Sequence, residues 1–210
     1  MEQAVEKRLS GELLAGASAV GFPVDAAAAE RLLRYLELLL AWNRKVNLTS
    51  VTDPEEAVEG HLIDSLAPAR LLGATGSLLD VGAGGGLPGI PLAIVLPQLQ
   101  VTLVDTVGKK VGFLKAASAV LGLSNVRAVH ARVAGEPARE GLPLVDAAIS
   151  RALMTPGEWV QLARPYIKDA GRILAMLGAE TPIPDDLEVV EELEYRLPRS
   201  KAVRRVAVFR

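Results

Sequence analysis

Cysteine is absent from this chain of 210 residues, and histidine occurs only twice. The lack of cysteine excludes disulfide bonds, thiolate metal ligands and a cysteine nucleophile. With His61 and His130 as the only imidazoles, a zinc site is not expected. No apolar run approaches the length needed to cross a bilayer, and residues 1–7 do not resemble a signal peptide. The sequence therefore predicts a cytoplasmic protein.

Aromatic residues and excess charge are both scarce. The chain has 3 Phe, 2 Trp and 3 Tyr, and its 23 basic and 25 acidic side chains give a net charge of −2. Neither property by itself indicates a nucleic-acid-binding protein. The last twelve residues, 199–210, nevertheless hold five basic side chains and no acidic one. This tail is either a solvated hairpin or a surface that faces phosphates.

A glycine-rich stretch organises the chain. Residues 77–94 read SLLDVGAGGGLPGIPLAI, and the apolar run at 78–81 predicts a buried strand. A glycine turn and an apolar helical pattern follow, which together are typical of the start of a nucleotide-binding βαβ unit. Glycines suit such a turn because a ligand can lie against a backbone that carries no Cβ atom. A purely structural glycine turn is the alternative.

Two acidic residues favour S-adenosylmethionine over a dinucleotide as the ligand of this turn. The spacing G-x-G-x-x-G at 84–89 matches the dinucleotide fingerprint. Asp80, however, stands at the strand end, where a carboxylate can approach an ammonium group but would repel a pyrophosphate. Asp105 ends a second apolar run, and an acid there accepts hydrogen bonds from ribose hydroxyls of either cofactor. A dehydrogenase would also need a substrate domain, for which this chain leaves little room.

The pattern after the glycine turn predicts an α/β fold. Short apolar runs alternate with helical segments, as in a doubly wound sheet, and two final strand-like segments predict an antiparallel hairpin. The predicted strands cover residues 77–82, 100–105, 126–131, 144–150, 171–177, 187–197 and 202–209. The predicted helices between them cover residues 89–96, 108–122 and 156–167. A mainly parallel seven-stranded sheet with an antiparallel C-terminal strand is the arrangement of class I, or Rossmann-like, methyltransferases.

Three further helices are predicted before the sheet. They cover residues 3–20, a long segment that follows Asp25 as N-cap and ends near Val46, and residues 54–66 with Asp53 as N-cap. We therefore expect residues 1–72 to form a helical extension that packs on a methyltransferase core of residues 73–210. No linker separates the two parts.

Five short blocks stand out in and around the glycine turn. They read WNxxxNLT at 42–49, HLIDSL at 61–66, DVGAGGGLPGIPL at 80–92, VDxxxKKVxFL at 104–114 and SRA at 150–152. In order and spacing they resemble the glucose-inhibited division protein B family, the bacterial 16S rRNA (guanine-N7) methyltransferases. The resemblance covers residues 30–178, and its first two blocks are more specific than a glycine loop.

The resemblance implies a class I fold, S-adenosylmethionine as cofactor, and methyl transfer to N7 of guanosine 527. The implied partner is 16S rRNA within the small ribosomal subunit or its precursor, and we expect a monomer without a metal ion. The cofactor-binding residues implied by the family, or by the glycine motif itself, are Asp80, Gly82, Gly84, Gly86, Leu87, Asp105, Val133, Ala134 and Arg151. One departure is that the acid usual after the third strand is displaced to Glu136, which leaves backbone groups at residues 133–134 to hold adenine.

Asp64 and Arg151 are the predicted catalytic residues. Guanine N7 carries an in-plane lone pair and no proton, so the reaction needs positioning and no general base. An acid near the purine would stabilise the positive charge of the product ring, and Asp64 is the candidate. Arg151 ends a strand at the carboxyl edge of the sheet, where α/β folds bind ligands. The alternative for Asp64 is a structural pair with His61, three residues earlier on the same helix face.

The candidates for RNA contact are Asn47, His61, Ser65, Lys109 and Lys110. The two lysines begin a helix, where the dipole disfavours cations, although solvated lysines are the plainer interpretation. Asn47, with Thr49, could instead terminate the second helix. Both tryptophans, at 42 and 159, are interpreted as packing residues.

Three other functions stay open at this point. They are a methyltransferase that acts on another RNA, a protein or a small molecule, an NAD-dependent dehydrogenase, and a non-catalytic ribosome-assembly factor on the same fold. Titration with S-adenosylmethionine and NAD separates the dehydrogenase from the others, and turnover on ribosomal RNA separates the enzyme from the assembly factor.

Overall fold

A single seven-stranded sheet forms the centre of the protein. The computed structural model describes residues 2–151 and 153–210, so Met1 and Ala152 of the SRA block lie outside the described residues. The strands are β1 (Thr75–Val81), β2 (Gln98–Asp105), β3 (Val126–His130), β4 (Val145–Arg151), β5 (Ile167–Gly178), β6 (Val189–Arg196) and β7 (Val203–Phe209). Among the described helices, none is long and apolar enough to cross a membrane.

The strand order is β3-β2-β1-β4-β5-β7-β6. Strands β1 to β5 run parallel, and β7 lies antiparallel between β5 and β6. The mainly parallel sheet with a terminal antiparallel hairpin is therefore confirmed. The order of the strands reverses between β1 and β4, and ligands of open α/β sheets bind outside the carboxyl ends of the strands at such a point.

The helices surround this sheet. They are α1 (Glu2–Ala19), α2 (Ala26–Asn43), α3 (Pro54–Ala57), α4 (Asp64–Leu66), α5 (Gly89–Val95), α6 (Gly108–Val120), α7 (Pro137–Glu140) and α8 (Pro156–Ala163). The predicted N-caps are confirmed, since the Asp25 carboxylate accepts a hydrogen bond from Ala28 N and the Asp53 carboxylate accepts one from Glu56 N.

Several predicted helix limits are wrong. The segment predicted as one regular helix over 54–66 contains a π-helical turn, Val58–Ile63, and continues as a 3₁₀ helix over Ala67–Leu71. Helix α2 ends three residues before Val46. Helix α8 ends at Ala163 instead of residue 167, a 3₁₀ helix follows over Arg164–Tyr166, and β5 begins at Ile167 instead of residue 171. The short helix α7 was not predicted. A π-helical turn shifts the positions of the residues after it around the helix axis, which matters for His61 and Asp64.

Apolar clusters cover both faces of the sheet. The larger cluster joins α1, α2 and residues 57–71 to α5, α6 and one face of the sheet, with Leu13, Leu32 and Leu78 fully buried in it. The smaller cluster lies on the opposite face around Trp159, whose Nε1 donates to Leu174 O at 3.0 Å. Trp159 is therefore a packing residue, as predicted. The domain division at residue 72 stays a prediction, and the larger cluster runs across it.

Candidate functional site

The glycine turn connects β1 to α5 and leaves open space at one position. Gly82, Gly84 and Gly86 have φ angles of +71°, +55° and +89°, which side chains rarely adopt. A Cβ atom at Gly86 would lie 2.6 Å from Ile90 Cδ1, so that position faces the interior. At Gly84 the nearest atom to such a Cβ is Gly82 O at 3.7 Å, and nothing else lies within 4 Å. The backbone at Gly84 can therefore be approached by a ligand.

Asp105 lies directly beside this opening at the carboxyl end of β2. Its Oδ2 accepts from Gly84 N at 2.9 Å and its Oδ1 accepts from Val107 N at 2.8 Å. Each carboxylate oxygen has a second lone pair, so both can still accept a hydroxyl hydrogen. An open cavity of about 550 Å³, lined by Thr106 and residues 130–132, lies between the ends of β2 and β3. The cavity begins at the residue after Asp105, at the end of the sheet where α/β folds bind ligands.

Asp80 lies on the inner side of the glycine turn. Its Oδ2 accepts from Gly89 N at 2.9 Å at the start of α5, and its Oδ1 has no partner among the described residues. Burial raises the pKa of this carboxyl to about 7. Asp80 therefore holds α5 against β1, and its contact with a ligand stays a prediction.

A buried charge cluster lies at the carboxyl end of β4. Arg151 Nη1 donates to Gly60 O at 2.9 Å and to Asp64 Oδ2 at 3.3 Å. Tyr195 OH, from β6, donates to Asp64 Oδ1 at 2.7 Å, and Arg204 Nε of β7 lies 4.0 Å from the same oxygen. Burial and the negative charge of Asp64 raise the pKa of Tyr195. The predicted local pair between Asp64 and His61 is wrong, because the carboxylate has these partners instead.

The turn of the β6–β7 hairpin is fixed to the same helical segment. The buried Glu59 accepts from the backbone N–H groups of Arg199 and Ser200, the second at 3.0 Å. Arg199 Nη1 also lies 3.0 Å from Glu55 Oε2. Since the π-helical turn carries Glu59, these contacts place the hairpin so that Tyr195 reaches Asp64.

His61 is buried beside the cluster and is held by the chain that follows α2. Its Nε2 lies 2.7 Å from Thr49 Oγ1, and its Nδ1 has no partner among the described residues. Asn43 Oδ1 accepts from Leu48 N and Thr49 N, so Asn43, and not Asn47, ends α2. Burial, assisted by the charge of Arg151, lowers the pKa of His61 to about 4. The imidazole is therefore neutral near pH 7.

The remaining predicted residues are distributed differently. Ser65 is fully buried with no partner for its Oγ among the described residues, so the structure gives it no surface for RNA contact. Asn47 and Lys109 are exposed, and Lys110 is half-buried in the first turn of α6. Leu87 is buried at the end of the glycine turn.

A glutamate from α7 binds the backbone of the loop after β3. Ala134 N donates to Glu140 Oε1 at 2.9 Å, and Tyr166 OH donates to Glu140 Oε2 at 2.5 Å. Glu136 points elsewhere and pairs with Arg139 at 2.6 Å. Glu140 is therefore the acid that binds the backbone of this loop, and the use of backbone groups at residues 133–134 to hold adenine stays a prediction. Of the two backbone positions expected to hold adenine, Ala134 already donates its N–H to Glu140. Val133 has an N–H without a hydrogen-bond acceptor among the described residues.

Besides Glu59 and Tyr195, sequence reasoning missed three residues near the glycine turn and the end of β4. Tyr35 OH of α2 donates to Gly85 O and so fixes the glycine turn from behind. Leu153 and Met154 follow β4 with 39% and 37% of their surfaces exposed, and Leu153 Cδ1 lies 2.7 Å from the position that a Cβ atom on Gly82 would occupy. With Trp159 they line a cavity of about 270 Å³ at the ends of β4 and β5. In the sequence, this feature is indicated by two adjacent apolar residues shortly after a predicted strand.

Comparison with known proteins identifies the family. A family model described as rRNA small subunit methyltransferase G, GidB, matches residues 28–192. The ribosomal RNA small subunit methyltransferase G of Myxococcus xanthus is 49% identical over 210 aligned positions, which cover 96% of this chain and 97% of the relative. The protein of the same name from Anaeromyxobacter dehalogenans strain 2CP-C is 50% identical over 203 positions, covering 93% and 94%.

Solved structures agree on the fold. A SAM dependent methyltransferase from Aquifex aeolicus matches with a TM-score of 0.55 and 19% identity, over 75% of this chain and 94% of that one. Coclaurine N-methyltransferase matches with a TM-score of 0.52 and 13% identity, over 91% and 74%. At such identities they show the fold alone, which is the class I methyltransferase fold. Since the family model covers most of its length and the relatives nearly all of it, the chain belongs to the GidB family, rRNA small subunit methyltransferase G.

Proposed function

We propose that this protein transfers a methyl group from S-adenosylmethionine to N7 of guanosine 527 in 16S rRNA, within the small ribosomal subunit or its precursor. The observation that carries the proposal is the open approach to Gly84 beside the Asp105 carboxylate, at the switch point of the sheet. The names of the relatives, small subunit rRNA methyltransferases, support the class of acceptor.

Residues on both sides of the glycine turn would hold the cofactor. Asp105 would accept hydrogen bonds from the ribose hydroxyls, and the backbone at Gly82, Gly84 and Val133 would contact the rest of the nucleoside and the amino-acid part. Arg151 supplies a positive charge that Asp64 and Gly60 O hold in place at the carboxyl edge of β4. S-adenosylmethionine, when bound, supplies an electrophilic methyl group on a positively charged sulfur.

The acceptor atom needs no proton transfer. The N7 lone pair forms the new N–C bond while the S–C bond breaks, its electron pair stays on sulfur, and the positive charge moves to the purine. The protein therefore contributes mainly by holding both reactants in line. His61, whose pKa burial lowers to about 4, is neutral near pH 7 and adds no further positive charge to the cluster around Arg151.

The positions of the two predicted catalytic residues suggest distinct roles. Asp64 is 6% exposed and both its oxygens bind protein groups, so its first role is to position Arg151. Arg151 is more accessible, with 23% of its side chain exposed, and can reach a ligand. Arg151 and Arg204 offset the negative charge of Asp64, so stabilisation of the product ring is the weaker alternative for this residue.

Binding and turnover assays test the proposal. Calorimetric titration should give heat with S-adenosylmethionine and none with NAD. Methyl-labelled cofactor should then label small ribosomal subunits from cells that lack the enzyme. Heat with NAD alone would support the dehydrogenase, and cofactor binding without labelling of any ribosomal particle would overturn the assigned acceptor.

A further inference from the structure

An aromatic ring is exposed where the end of α2 meets the start of α6. The rings of Trp42 and Phe113 pack with centroids 5.6 Å apart and planes tilted by 58°. Phe113 is fully buried, whereas 37% of Trp42 stays exposed. The interpretation of Trp42 as a packing residue is therefore incomplete, since part of its indole faces solvent.

Four cationic residues flank Trp42 and Phe113 in the sequence. Arg44 and Lys45 follow Trp42 at the end of α2, and Lys109 and Lys110 precede Phe113 by about one helical turn. Within the part of the chain that the structure describes, none of the four lies within 4.0 Å of a carboxylate. A chain with a net charge of −2 thus concentrates unpaired positive charge at this place.

Helix electrostatics explain half of this arrangement. Arg44 and Lys45 lie at the C-terminal end of α2, where the helix dipole favours cations. Lys109 and Lys110 lie in the first turn of α6, where the dipole disfavours them. The charges of these two lysines do not interact favourably with the helix dipole, and an anion bound there would offset this unfavourable interaction.

The same surface borders the glycine turn. Leu48 O, in the loop that follows α2, lies 3.6 Å from the position of a Cβ atom on Gly85. Leu114 Cδ2, next to Phe113, lies 3.1 Å from the equivalent position on Gly86. Both contacts are on the inner side of the turn. Lys109 and Lys110 also follow Asp105 by four and five residues, so a molecule bound across Trp42 would lie at the same end of β2 as the candidate cofactor site.

The basic C-terminal tail is used differently. Arg199 pairs with Glu55 at 3.0 Å, and Arg205 pairs with Glu192 at 3.1 Å. Lys201 Nζ donates to a carbonyl within the same turn. Many of the charges that the sequence offered as a phosphate-facing surface are thus bound within the protein.

We propose that Trp42, Arg44, Lys45, Lys109 and Lys110, the Trp42 surface, bind an unpaired segment of the ribosomal RNA substrate. A base stacks on the exposed indole, and the four cations contact neighbouring phosphates. RNA-binding proteins commonly bind unpaired strands in this way, through an aromatic platform within a positively charged groove. The inference rests on the proposed function, because it takes rRNA as the acceptor.

Two sets of variants test the Trp42 surface. Trp42→Ala should raise the KM for small ribosomal subunits by about fivefold, the lower end expected for loss of one stacked base, whereas Trp42→Phe should restore most of the affinity. Lys109→Ala with Lys110→Ala should reduce the slope of log affinity against log salt by about 1.4, or 0.7 for each lost contact with a single strand. Affinity for S-adenosylmethionine should not change in either.

Arg164→Ala with Arg210→Ala is the matched control. Both side chains are exposed, and among the described residues neither lies within 4.0 Å of a carboxylate. Arg164 precedes β5 and Arg210 follows β7, so this variant removes two positive charges near the amino end of β5. An unchanged KM and salt slope in the Trp42 and lysine variants would overturn the proposal, as would an equal loss in the control or a Trp42→Phe variant as weak as Trp42→Ala. If the wild-type protein labels no rRNA, the proposed function itself fails. Normal wild-type labelling with unaffected variants refutes the surface alone.

Discussion

The substitution Asp64→Asn separates two roles for the buried carboxylate. Asparagine keeps the shape of the side chain and an oxygen that can accept from Tyr195 OH, but it removes the negative charge 3.3 Å from Arg151 Nη1. If Asp64 acts by positioning Arg151, the change should weaken cofactor binding. If it acts by stabilising the purine product, the change should slow turnover instead.

The structure sets the size of the expected effect. A hydrogen bond to a charged group contributes about 1.5–3 kcal/mol, and the lower end applies because 23% of the Arg151 side chain is exposed and its bond to Gly60 O remains. About 1.5 kcal/mol corresponds to roughly a tenfold increase in the Kd for S-adenosylmethionine. For a domain of this size, the same energy lowers the unfolding temperature by about 3–6 °C.

Calorimetry and steady-state kinetics measure the two roles apart. Positioning predicts a weaker Kd for the cofactor with nearly normal kcat at saturating cofactor. Tyr195→Phe is the control, since it removes a hydrogen bond from the same cluster while the charge of Asp64 stays; it should lower stability more than cofactor affinity. A reduced kcat with unchanged Kd in Asp64→Asn would refute the reasoning.

Further predictions concern pH, the glycine turn and the substrate. The pKa of His61 is about 4 in the folded state and 6.5 in the unfolded state, so this residue contributes stability above pH 6.5 that is lost as the pH falls. The pKa of Asp80 is raised on folding from 3.8 to about 7, so this residue contributes stability at low pH that is lost as the pH rises. In urea unfolding, we therefore expect the stability of His61→Gln to fall, and that of Asp80→Asn to rise, relative to wild type. The expected change is roughly 1 kcal/mol for each unit by which the pH increases from 4.5 to 6.5. Curves of stability against pH that run parallel to the wild-type curve would contradict this. Gly84 and Gly122 have φ angles of +55° and +63°, so Gly84→Ala and Gly122→Ala should each lower the stability by about 1 kcal/mol. Only Gly84→Ala should weaken cofactor binding, because Gly122 is distant from the site and nothing lies within 4 Å of a Cβ atom there. Assembled or partly assembled small subunits should be methylated better than a naked transcript of the target loop, since the protein has few aromatic residues; equal rates would show that the free RNA suffices.

The positions of the strands and the terminal hairpin could be predicted because the pattern along the chain is local, whereas the order of the strands in the sheet depends on contacts between distant segments. Each strand is a short apolar run bounded by turn residues, and the final two runs have no helix between them. The N-caps Asp25 and Asp53 were equally visible, since a cap acts on N–H groups two or three residues away. Such features need no knowledge of distant contacts.

The site's internal partners could not be predicted in this way. Tyr195 is 131 residues from Asp64 in sequence, and no local pattern connects the two. The π-helical turn at 58–63 has the same apolar pattern as an α-helix over one turn, so the supposed pairing of His61 with Asp64 followed from the wrong helical geometry. Burial of Ser65 likewise depends on the packing of the whole helical segment.

The position of the methyl group in the product tests the central claim most directly. Purified protein, methyl-labelled S-adenosylmethionine and small subunits from cells lacking the enzyme would be incubated, and the label mapped by nucleotide and by ring atom. The account predicts label at N7 of guanosine 527 in 16S rRNA. Label at another ring atom or another nucleotide, or none despite measurable cofactor binding, would contradict it.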